Sequence, residues 1–327
     1  MPAHRSFGEQ ALHYFQRPHE ALPTVPLTCP AAWKGPELDP NQWTEHWSDD
    51  EIRALEACAH ALAGTPLSEL TREHFVLTTL APRLQRWRRE LRDGRGFVFA
   101  RGLPVQRWGQ ELASIAYWGI GLHLGIPGGQ NPQGELLGHV RDYGEDAANP
   151  YVRKYRTPDD IAYHCDLADV VGLLCLATPK SGGASRIVSS VSVYNELLAR
   201  RPDLVARLAE PMLLDTRDEA REKDMPFVPV QPCCFDGKTL RTFYHSDYFR
   251  SVVRHAQAPP RTAQEQELLD QYEKIARSRQ LYLDMQFEAG DLQLISNHVI
   301  LHARTSYEDW PEPQRRRHLL RLWLSLE

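Results

Sequence analysis

Hydrophobic residues recur at helical spacing in three segments of the chain. Ser48-Asp49-Asp50-Glu51 has the capping-box pattern that begins a helix, and the apolar residues that follow on one helical face are Ile52, Leu55, Ala59 and Leu62. Thr262-Ala263-Gln264-Glu265 begins a second helix, whose predicted buried side consists of Leu268, Leu269, Tyr272 and Ile275. A third helix is predicted over about 107–124, ending near Gly125-Ile126-Pro127.

Short apolar runs broken by turn residues predict strands elsewhere. They lie between residues 163 and 190, after the turn at 93–96, and in the last third at 281–287, 291–296, 298–301 and 317–324. Residues 1–47 are rich in proline, which predicts an irregular wrapping segment. Strands on both sides of a helical insert indicate a mainly β fold with helices (α+β), built from antiparallel sheets. A jelly roll is one way to close such sheets without exposed edges.

The chain has no internal repeat or obvious linker, so we expect one domain over 1–327. Within it, residues 1–96 form an N-terminal helical elaboration, and residues 97–327 form the β core with a helical insert at about 190–280.

Composition excludes several classes of partner. A formal net charge of −5 gives no basic surface for nucleic acid, and no run of 18 apolar residues predicts a membrane span. The start of the chain lacks the apolar stretch of a secretory signal. The six cysteines form no CxxC pair, which favours reduced thiols in the cytoplasm over a disulfide framework. We therefore expect a cytoplasmic protein that binds neither nucleic acid nor a membrane.

Candidate metal chemistry begins at Tyr163-His164-Cys165-Asp166. Residues two apart on a strand point to the same face, so His164 and Asp166 can offer an imidazole and a carboxylate to one ion. A second histidine would complete the two-histidine, one-carboxylate arrangement typical of non-haem Fe(II) oxygenases. The triplet alone carries little information, because His245-Ser246-Asp247 has the same form. Aromatic residues surround His245, which favours a polar side chain in a packed aromatic patch.

The C-terminal third makes the prediction specific. A Gly290-Asp291 strand leads to Leu301-His302-Ala303-Arg304, and Arg317 follows fifteen residues after His302. This order of motifs closely resembles the taurine dioxygenase-like family of Fe(II)/2-oxoglutarate oxygenases, over roughly residues 97–327. The resemblance implies a double-stranded β-helix, Fe(II) as the metal, and 2-oxoglutarate and O2 as co-substrates.

Roles carry over residue by residue from the resemblance. His164, Asp166 and His302 match the metal ligands and so are the expected catalytic centre. Arg317 matches the arginine that pairs with the distal carboxylate of 2-oxoglutarate, Ser185 matches a hydroxyl residue beside it, and Arg321 matches a position that contacts substrate or co-substrate. The expected reaction is hydroxylation, desaturation or cyclisation of a small molecule, such as an amino acid or natural-product intermediate, with release of succinate and CO2.

Alternatives stay open at this stage. His298 competes with His302 as third ligand, and the choice of Arg317 over Arg315 or Arg316 is uncertain by one position. Gln130, Asn131 and Tyr155 are candidates for the substrate wall. A cupin-type isomerase or hydrolase that does not use 2-oxoglutarate is the competing function, but it would leave Arg317 and Ser185 unexplained. The sequence does not settle whether the chain forms a homo-oligomer.

Overall fold

The computed structural model describes residues 4–146, 149, 151–217 and 225–326. Residues 218–224 of the predicted insert lie outside them. In this part of the chain the α-helices are α1 Phe7–Phe15, α2 Pro40–Trp43, α3 Asp49–Ala61, α4 Ala81–Asp93, α5 Val105–Leu124, α6 Ser190–Arg200, α7 Pro202–Val205, α8 Ser246–Ser251 and α9 Ala263–Ala276.

The strands between and after these helices carry the sheet core. They are β1 Thr44–His46, β2 Phe97–Arg101, β3 Ile126–Pro127, β4 Leu137–Val140, β5 Ile161–His164, β6 Val170–Ala177, β7 Ser181–Gly182, β8 Ser185–Ser189, β9 Met212–Asp215, β10 Phe227–Val230, β11 Cys233–Phe235, β12 Leu240–Thr242, β13 Leu283–Met285, β14 Leu292–Ser296, β15 Ile300–Arg304, β16 Tyr307–Glu308 and β17 His318–Ser325.

Two sheets form the centre of the molecule. The large sheet has the strand order β1-β2-β14-β6-β17-β3, with β4 also paired to β17, and the small sheet has the order β13-β8-β15-β5. Pairing is antiparallel throughout except between β1 and β2. The predicted antiparallel double sheet is therefore present.

Side-chain alternation divides the core into layers. On β17, Leu320, Leu322 and Leu324 pack against the helices outside the large sheet, in the same cluster as residues of α3, α4 and α5. The alternate residue Trp323 faces the small sheet, in a cluster that includes Phe97 and Ile300. A third cluster joins the small sheet to α6, α7 and α9. The period of two thus places Arg321 and Trp323 on the inner face.

Both predicted capping boxes are present, at Ser48 with Glu51 and at Thr262 with Glu265. The predicted irregular character of residues 1–47 is wrong in part, because α1 forms there behind its own capping box at Ser6 and Glu9. All six cysteines are unpaired thiols. Within the described residues, no helix combines the length and apolar character needed to cross a bilayer.

The turn before β14 requires a glycine at residue 290. Its φ is +91°, and an added Cβ would lie 2.0 Å from the Leu103 carbonyl oxygen. Because this oxygen belongs to the backbone, it cannot move aside as a flexible side chain could. We expect Gly290→Ala to lower the free energy of unfolding by more than about 1 kcal/mol. In the matched control, Gly8→Ala, a Cβ meets nothing within 4 Å inside α1, so stability should stay or rise by up to about 1 kcal/mol. Urea denaturation of both variants measures this, and equal effects would contradict the prediction.

Candidate metal centre

Strand pairing in the small sheet brings the two predicted histidine ligands together. β15 runs antiparallel to β5 with His302 directly opposite His164, and the centroids of the two rings are 4.0 Å apart. Residues directly opposite each other on paired strands have side chains in contact range as a result of the pairing alone. The local fold therefore sets the spacing of the two imidazoles.

Asp166 lies beside the two histidines, but strand alternation, the predicted reason, does not position it. β5 ends at His164, so strand alternation does not extend to residue 166. Instead, the Asp166 N–H donates to Asn297 Oδ1 at 3.1 Å, and the Trp323 indole N–H donates to Asp166 Oδ2, also at 3.1 Å. These bonds fix both the backbone and the carboxylate of Asp166.

The three side chains make a compact donor set. His164 Nε2 lies 3.9 Å from Asp166 Oδ1, and His302 Nε2 lies 3.7 Å from Asp166 Oδ2. One ligand atom from each residue lies within 4.8 Å of the other two. The set has the residue types of the two-histidine, one-carboxylate face that binds Fe(II).

The hydrogen bonds of the histidines agree with metal ligation. His164 Nδ1 lies 2.9 Å from the Ala162 carbonyl oxygen, which can only accept, so Nδ1 carries the proton and the Nε2 lone pair faces Asp166. Burial, more than the neighbouring His164, lowers the pKa of His302 to about 3, so the His302 ring is neutral at physiological pH. Neutral imidazoles are the form that metals bind.

Asp166 is held as an anion despite its burial. Burial alone would raise the pKa of its carboxyl group, but Arg321 and then the two histidines outweigh that effect and keep the pKa below its ordinary value. The nearest approach of Arg321 is 3.9 Å, from Nη1 to Asp166 Oδ2. The carboxylate is thus ready for a cation without prior loss of a proton.

A small cavity of about 60 Å³ lies on one side of the cluster, lined by His302, Ser185, Arg304 and Arg317 among others. Arg317 is only 4% exposed, and its Nη1 has no hydrogen-bond partner. Burial lowers the pKa of Arg317, and burial and the adjacent Arg317 together lower that of Arg304 to about 9. Two buried guanidiniums at one cavity indicate a site for an anion, because an uncompensated buried charge is costly.

Burial distinguishes the three consecutive arginines. Arg315 and Arg316 are exposed, and the Arg316 side chain donates to the carbonyl oxygens of Trp310 and Pro311, whereas Arg317 lines the cavity. Gly183 explains part of this geometry, since its φ is +71° and an added Cβ would lie 3.3 Å from Arg317 Nε. The Gly182-Gly183 turn therefore leaves room for the guanidinium.

Ser185 lines the same cavity, but its hydroxyl group is already engaged. Its Oγ lies 3.1 Å from Gln293 Oε1, to which it donates its only proton. A carboxylate bound there would have to compete with Gln293 for that proton.

A larger cavity of about 260 Å³ also borders the cluster. His164, Asp166 and Arg321 line both cavities, so two of the three candidate ligands border both spaces. Arg321 is anchored by Gln130, whose Oε1 accepts from Arg321 Nε at 2.7 Å and whose Nε2 donates to the Arg321 carbonyl oxygen at 2.7 Å. Gln130 thus holds Arg321 in place.

Of the other two candidates for the substrate wall, Tyr155 lines the cavities and Asn131 does not. Tyr155 lines both cavities, with its ring 4.5 Å from the Arg321 guanidinium carbon. Asn131 bonds with Glu135 and does not line either cavity.

His298, the rival ligand, is occupied elsewhere. Its Nε2 lies 2.8 Å from Asp169 Oδ1, and its ring stacks on Tyr14 at 4.6 Å. Asp169 also bonds with His13 at 2.8 Å, which ties α1 to the loop after β5. The structure brings His302, and not His298, to His164 and Asp166.

Two features of the large cavity were missed by sequence reasoning. His245 was interpreted as part of an aromatic patch, but it lines the large cavity with its ring 5.0 Å from that of His164. Phe7, Ala11 and Phe15, one face of α1, line the same space. The repeated His-x-Asp triplet at His245 was the available signal for the first, and the capping box at Ser6 was the signal for the second.

Comparison with known proteins connects this geometry to a family. The model of the taurine catabolism dioxygenase TauD, TfdA family matches residues 63–323. The chain is 28% identical over 309 residues to FR-33289 synthase of Streptomyces rubellomurinus (strain ATCC 31215), covering 92% of this chain and 91% of that protein. It is also 28% identical over 293 residues to the taurine hydroxylase-like protein SAT17 of Stachybotrys chartarum (strain CBS 109288 / IBT 7711), covering 84% and 73%.

Solved structures share the fold. An asparagine oxygenase in complex with Fe(II), 2S,3S-3-hydroxyasparagine and succinate superposes with a TM-score of 0.69 at 18% identity, covering 86% of this chain and 93% of that one. The non-heme iron oxygenase OrfP in complex with Fe and alpha-ketoglutaric acid gives a TM-score of 0.63 at 14% identity, covering 87% and 94%. The predicted double-stranded β-helix is confirmed.

Metal binding gives a direct check of the donor set. We expect anaerobic Fe(II) to raise the melting temperature of the wild type, because a ligand at about 100 times its Kd stabilises the folded state by about 2.7 kcal/mol. His302→Ala should lose this shift, since it removes one of the three donors.

His298→Ala is the matched control. It disturbs the bond with Asp169 and so lowers the starting stability, but the metal-induced shift should persist. Thermal unfolding with and without Fe(II) measures both. A shift lost in His298→Ala and kept in His302→Ala would reverse the assignment of the third ligand.

Proposed function

Since the chain belongs to the taurine catabolism dioxygenase TauD, TfdA family, we propose that His164, Asp166 and His302 hold the iron with which it works. The chain is a non-haem iron oxygenase that uses 2-oxoglutarate and oxidises a small molecule. The assignment of individual residues to that chemistry rests on the geometry of the two cavities.

The observation that carries the proposal is the buried Arg317 beside the donor set. Its Nη1 has no partner, and its guanidinium forms no ion pair with a carboxylate of the described residues; the contact of Arg317 with Asp309 is a hydrogen bond from the backbone N–H. A guanidinium binds a carboxylate through two parallel, charge-assisted hydrogen bonds. In the proposed complex Arg317 therefore takes the distal carboxylate of 2-oxoglutarate, whose keto-acid end then lies toward His302.

Arg304 supports the same placement. It lines the small cavity, and its Nη2 donates to the Thr157 carbonyl oxygen at 2.8 Å while Nε and Nη1 have no partner. Its positive charge adds to that of Arg317 at the cavity wall. A dianion entering this space would offset the cost of burying both.

The substrate belongs in the large cavity, across the donor set from the co-substrate. His164 and Asp166 face both spaces, so a substrate there is adjacent to the metal. The solved relatives include an asparagine oxygenase and an oxygenase crystallised with (3S)-hydroxy-L-Arg, and one curated relative is named for the synthesis of FR-33289. The proposed substrate class is therefore a small molecule, either an amino acid or a natural-product intermediate.

Iron, when bound, would couple the oxidation of 2-oxoglutarate by O2, to succinate and CO2, with oxidation of the substrate. The residues of the chain perform the supporting tasks. Trp323 and Asn297 hold Asp166 in position, and the Ala162 carbonyl oxygen fixes the tautomer of His164. Such supporting contacts set ligand orientation and metal affinity.

The competing function, a cupin-type isomerase or hydrolase without 2-oxoglutarate, is disfavoured. The family match supports the oxygenase, and the alternative supplies no anion for Arg317 and Arg304.

Arg317→Ala tests the proposed co-substrate site. Loss of a bidentate charge-assisted contact should weaken 2-oxoglutarate by about 30- to 1000-fold, which corresponds to about 2–4 kcal/mol. Fe(II) binding should survive, because the guanidinium is not a ligand. The exposed Arg316 offers a matched control, and Arg316→Ala should retain wild-type affinity. Calorimetric titration of the anaerobic Fe(II) protein distinguishes them, and equal affinities in the two variants would remove Arg317 from the site.

Substrate-dependent succinate release tests the function itself. Amino acids and other small acids are screened with Fe(II), 2-oxoglutarate and O2, and product is followed by mass spectrometry. We expect at least one compound to release succinate in step with an oxidised product. Asp166→Ala should abolish this coupled release. If a compound is converted by wild type at full rate without 2-oxoglutarate, the cupin-type alternative is correct.

A further inference from the structure

The helix α1 presents two neighbouring faces to the rest of the protein. Phe7, Ala11 and Phe15 recur every four residues and line the large cavity. Gln10 and Tyr14, also four residues apart, are fully buried, and the Gln10 side chain accepts a hydrogen bond from β17 at 2.8 Å. The helix therefore belongs both to the wall of the cavity and to the structure behind that wall.

The Tyr14 hydroxyl group reaches the turn after β14. It lies 3.0 Å from the Asn297 carbonyl oxygen and 3.2 Å from that of Thr242, and it shares its one proton between these two acceptors. The Tyr14 ring stacks on His298, the next residue of the same turn, at 4.6 Å. Both contacts hold α1 against this turn.

The same turn holds the loop that carries Asp166. The Asn297 side chain accepts from the Asp166 N–H at 3.1 Å and donates to the Ala168 carbonyl oxygen at 2.9 Å. The Asn297 N–H donates to the Asp169 carbonyl oxygen, also at 2.9 Å. Tyr14 thus contacts the backbone of Asn297, and the side chain of Asn297 contacts the proposed metal ligand Asp166.

We propose that Tyr14 is a positioning residue for Asp166, and that α1 and the metal centre stabilise each other through Asn297. When α1 is docked, Tyr14 fixes the turn and the turn fixes the loop of the carboxylate ligand. By thermodynamic linkage, bound metal strengthens the docking of α1 by the same factor by which docking strengthens metal binding. Metal loading therefore stabilises the apolar wall of the large cavity.

The inference rests on the proposed function, because it concerns the metal of that same site. It goes beyond that function by giving α1 a part in metal binding. The helix precedes residue 63, where the match to the family begins, so the match itself assigns no role to α1.

Fe(II) titration of Tyr14→Phe tests the positioning role. The substitution removes the hydroxyl group and keeps the buried ring. We expect the Kd for Fe(II) to rise about three- to tenfold, less than the roughly 10- to 100-fold typical of a residue that contacts a metal ligand directly. The weak visible band of the Fe(II) protein with 2-oxoglutarate should still reach full intensity at saturating Fe(II), because no ligand is lost. Anaerobic calorimetry and absorption measure the two effects.

Tyr194→Phe is the matched control. The Tyr194 hydroxyl group also donates to a backbone carbonyl oxygen, that of Pro23, but Tyr194 lines neither cavity. Urea denaturation without metal should show a loss of stability in both variants, since each loses a hydrogen bond of the same kind. The Fe(II) affinity of Tyr194→Phe should remain that of the wild type.

A double-mutant cycle tests the route through Asn297. Asn297→Ala removes the side-chain contact with Asp166 and leaves the backbone carbonyl oxygen that Tyr14 uses. If Tyr14 acts through that side chain, adding Tyr14→Phe to Asn297→Ala should weaken Fe(II) no further, whereas independent effects would add. If Asn297→Ala does not fold, the comparison of Tyr14→Phe with Tyr194→Phe decides alone.

Hydrogen exchange measures the reciprocal effect on α1. Exchange through local opening of α1 should slow about three- to tenfold when Fe(II) saturates the wild type, because linkage requires the same factor in both directions. The helix α3, outside the large sheet, is the reference for a global gain in stability. In Tyr14→Phe the additional protection of α1 should fall toward that of α3, as measured by mass spectrometry of peptides that span each helix.

The outcomes separate this inference from the proposed function. The inference is wrong, and the proposed function stands, if Tyr14→Phe loses no more Fe(II) affinity than Tyr194→Phe or if the effects in the cycle add. It is also wrong if α1 keeps its metal-dependent protection in Tyr14→Phe, which would assign the coupling to the bond between His13 and Asp169. If the wild type binds neither Fe(II) nor 2-oxoglutarate, both are wrong.

Discussion

The pairing of β5 with β15 is the constraint on which the site depends. It places His302 opposite His164, and the loop that leaves β5 then needs only two residues to bring Asp166 to the same point. Asn297, in the turn after β14, and Trp323, in β17, hold that loop and its carboxylate. A one-residue slip of β15 would turn His302 to the opposite face of the sheet and remove one donor, since side chains alternate along a strand.

The same alternation gives the site its two cavities. On β17, leucines at every second position pack on the outer helices, and the residues between them face the inside of the fold. Arg321 therefore borders both cavities, and Arg317, just before the strand, borders the small one. Burying these guanidiniums is unfavourable in the empty protein, and an anionic ligand in the small cavity would offset that cost for Arg317.

Sequence alone was sufficient for the parts of the site carried by motifs. His164, Asp166 and His302 were identified from the order and spacing of their motifs, and the structure brings them together. The position of Arg317 among three arginines could not be fixed from sequence, because the three side chains are identical and only burial distinguishes them. The mechanism that positions Asp166 was also misjudged. Strand alternation was predicted, whereas the Asp166 N–H donates a hydrogen bond to Asn297, 131 positions away in the chain, and this bond does the positioning.

The large cavity was the part that sequence reasoning could not assemble. Its walls come from α1, the segment before β5, and the residues around β9 and α8, which are far apart in the chain. The helix at 7–15 has a capping box and apolar residues at helical spacing, but that local pattern does not show which cavity its apolar face lines. The orientation of His245 likewise depends on contacts with residues distant in the chain, such as His164.

Visible absorption of the anaerobic Fe(II) protein with 2-oxoglutarate tests the central claim most directly. If His164, Asp166 and His302 hold the metal with adjacent positions open, the keto acid chelates it and gives a weak charge-transfer band. The account predicts this band in the wild type and its loss in His164→Ala, Asp166→Ala and His302→Ala. A band that persists unchanged in any of the three variants would contradict the assignment of that residue as a ligand.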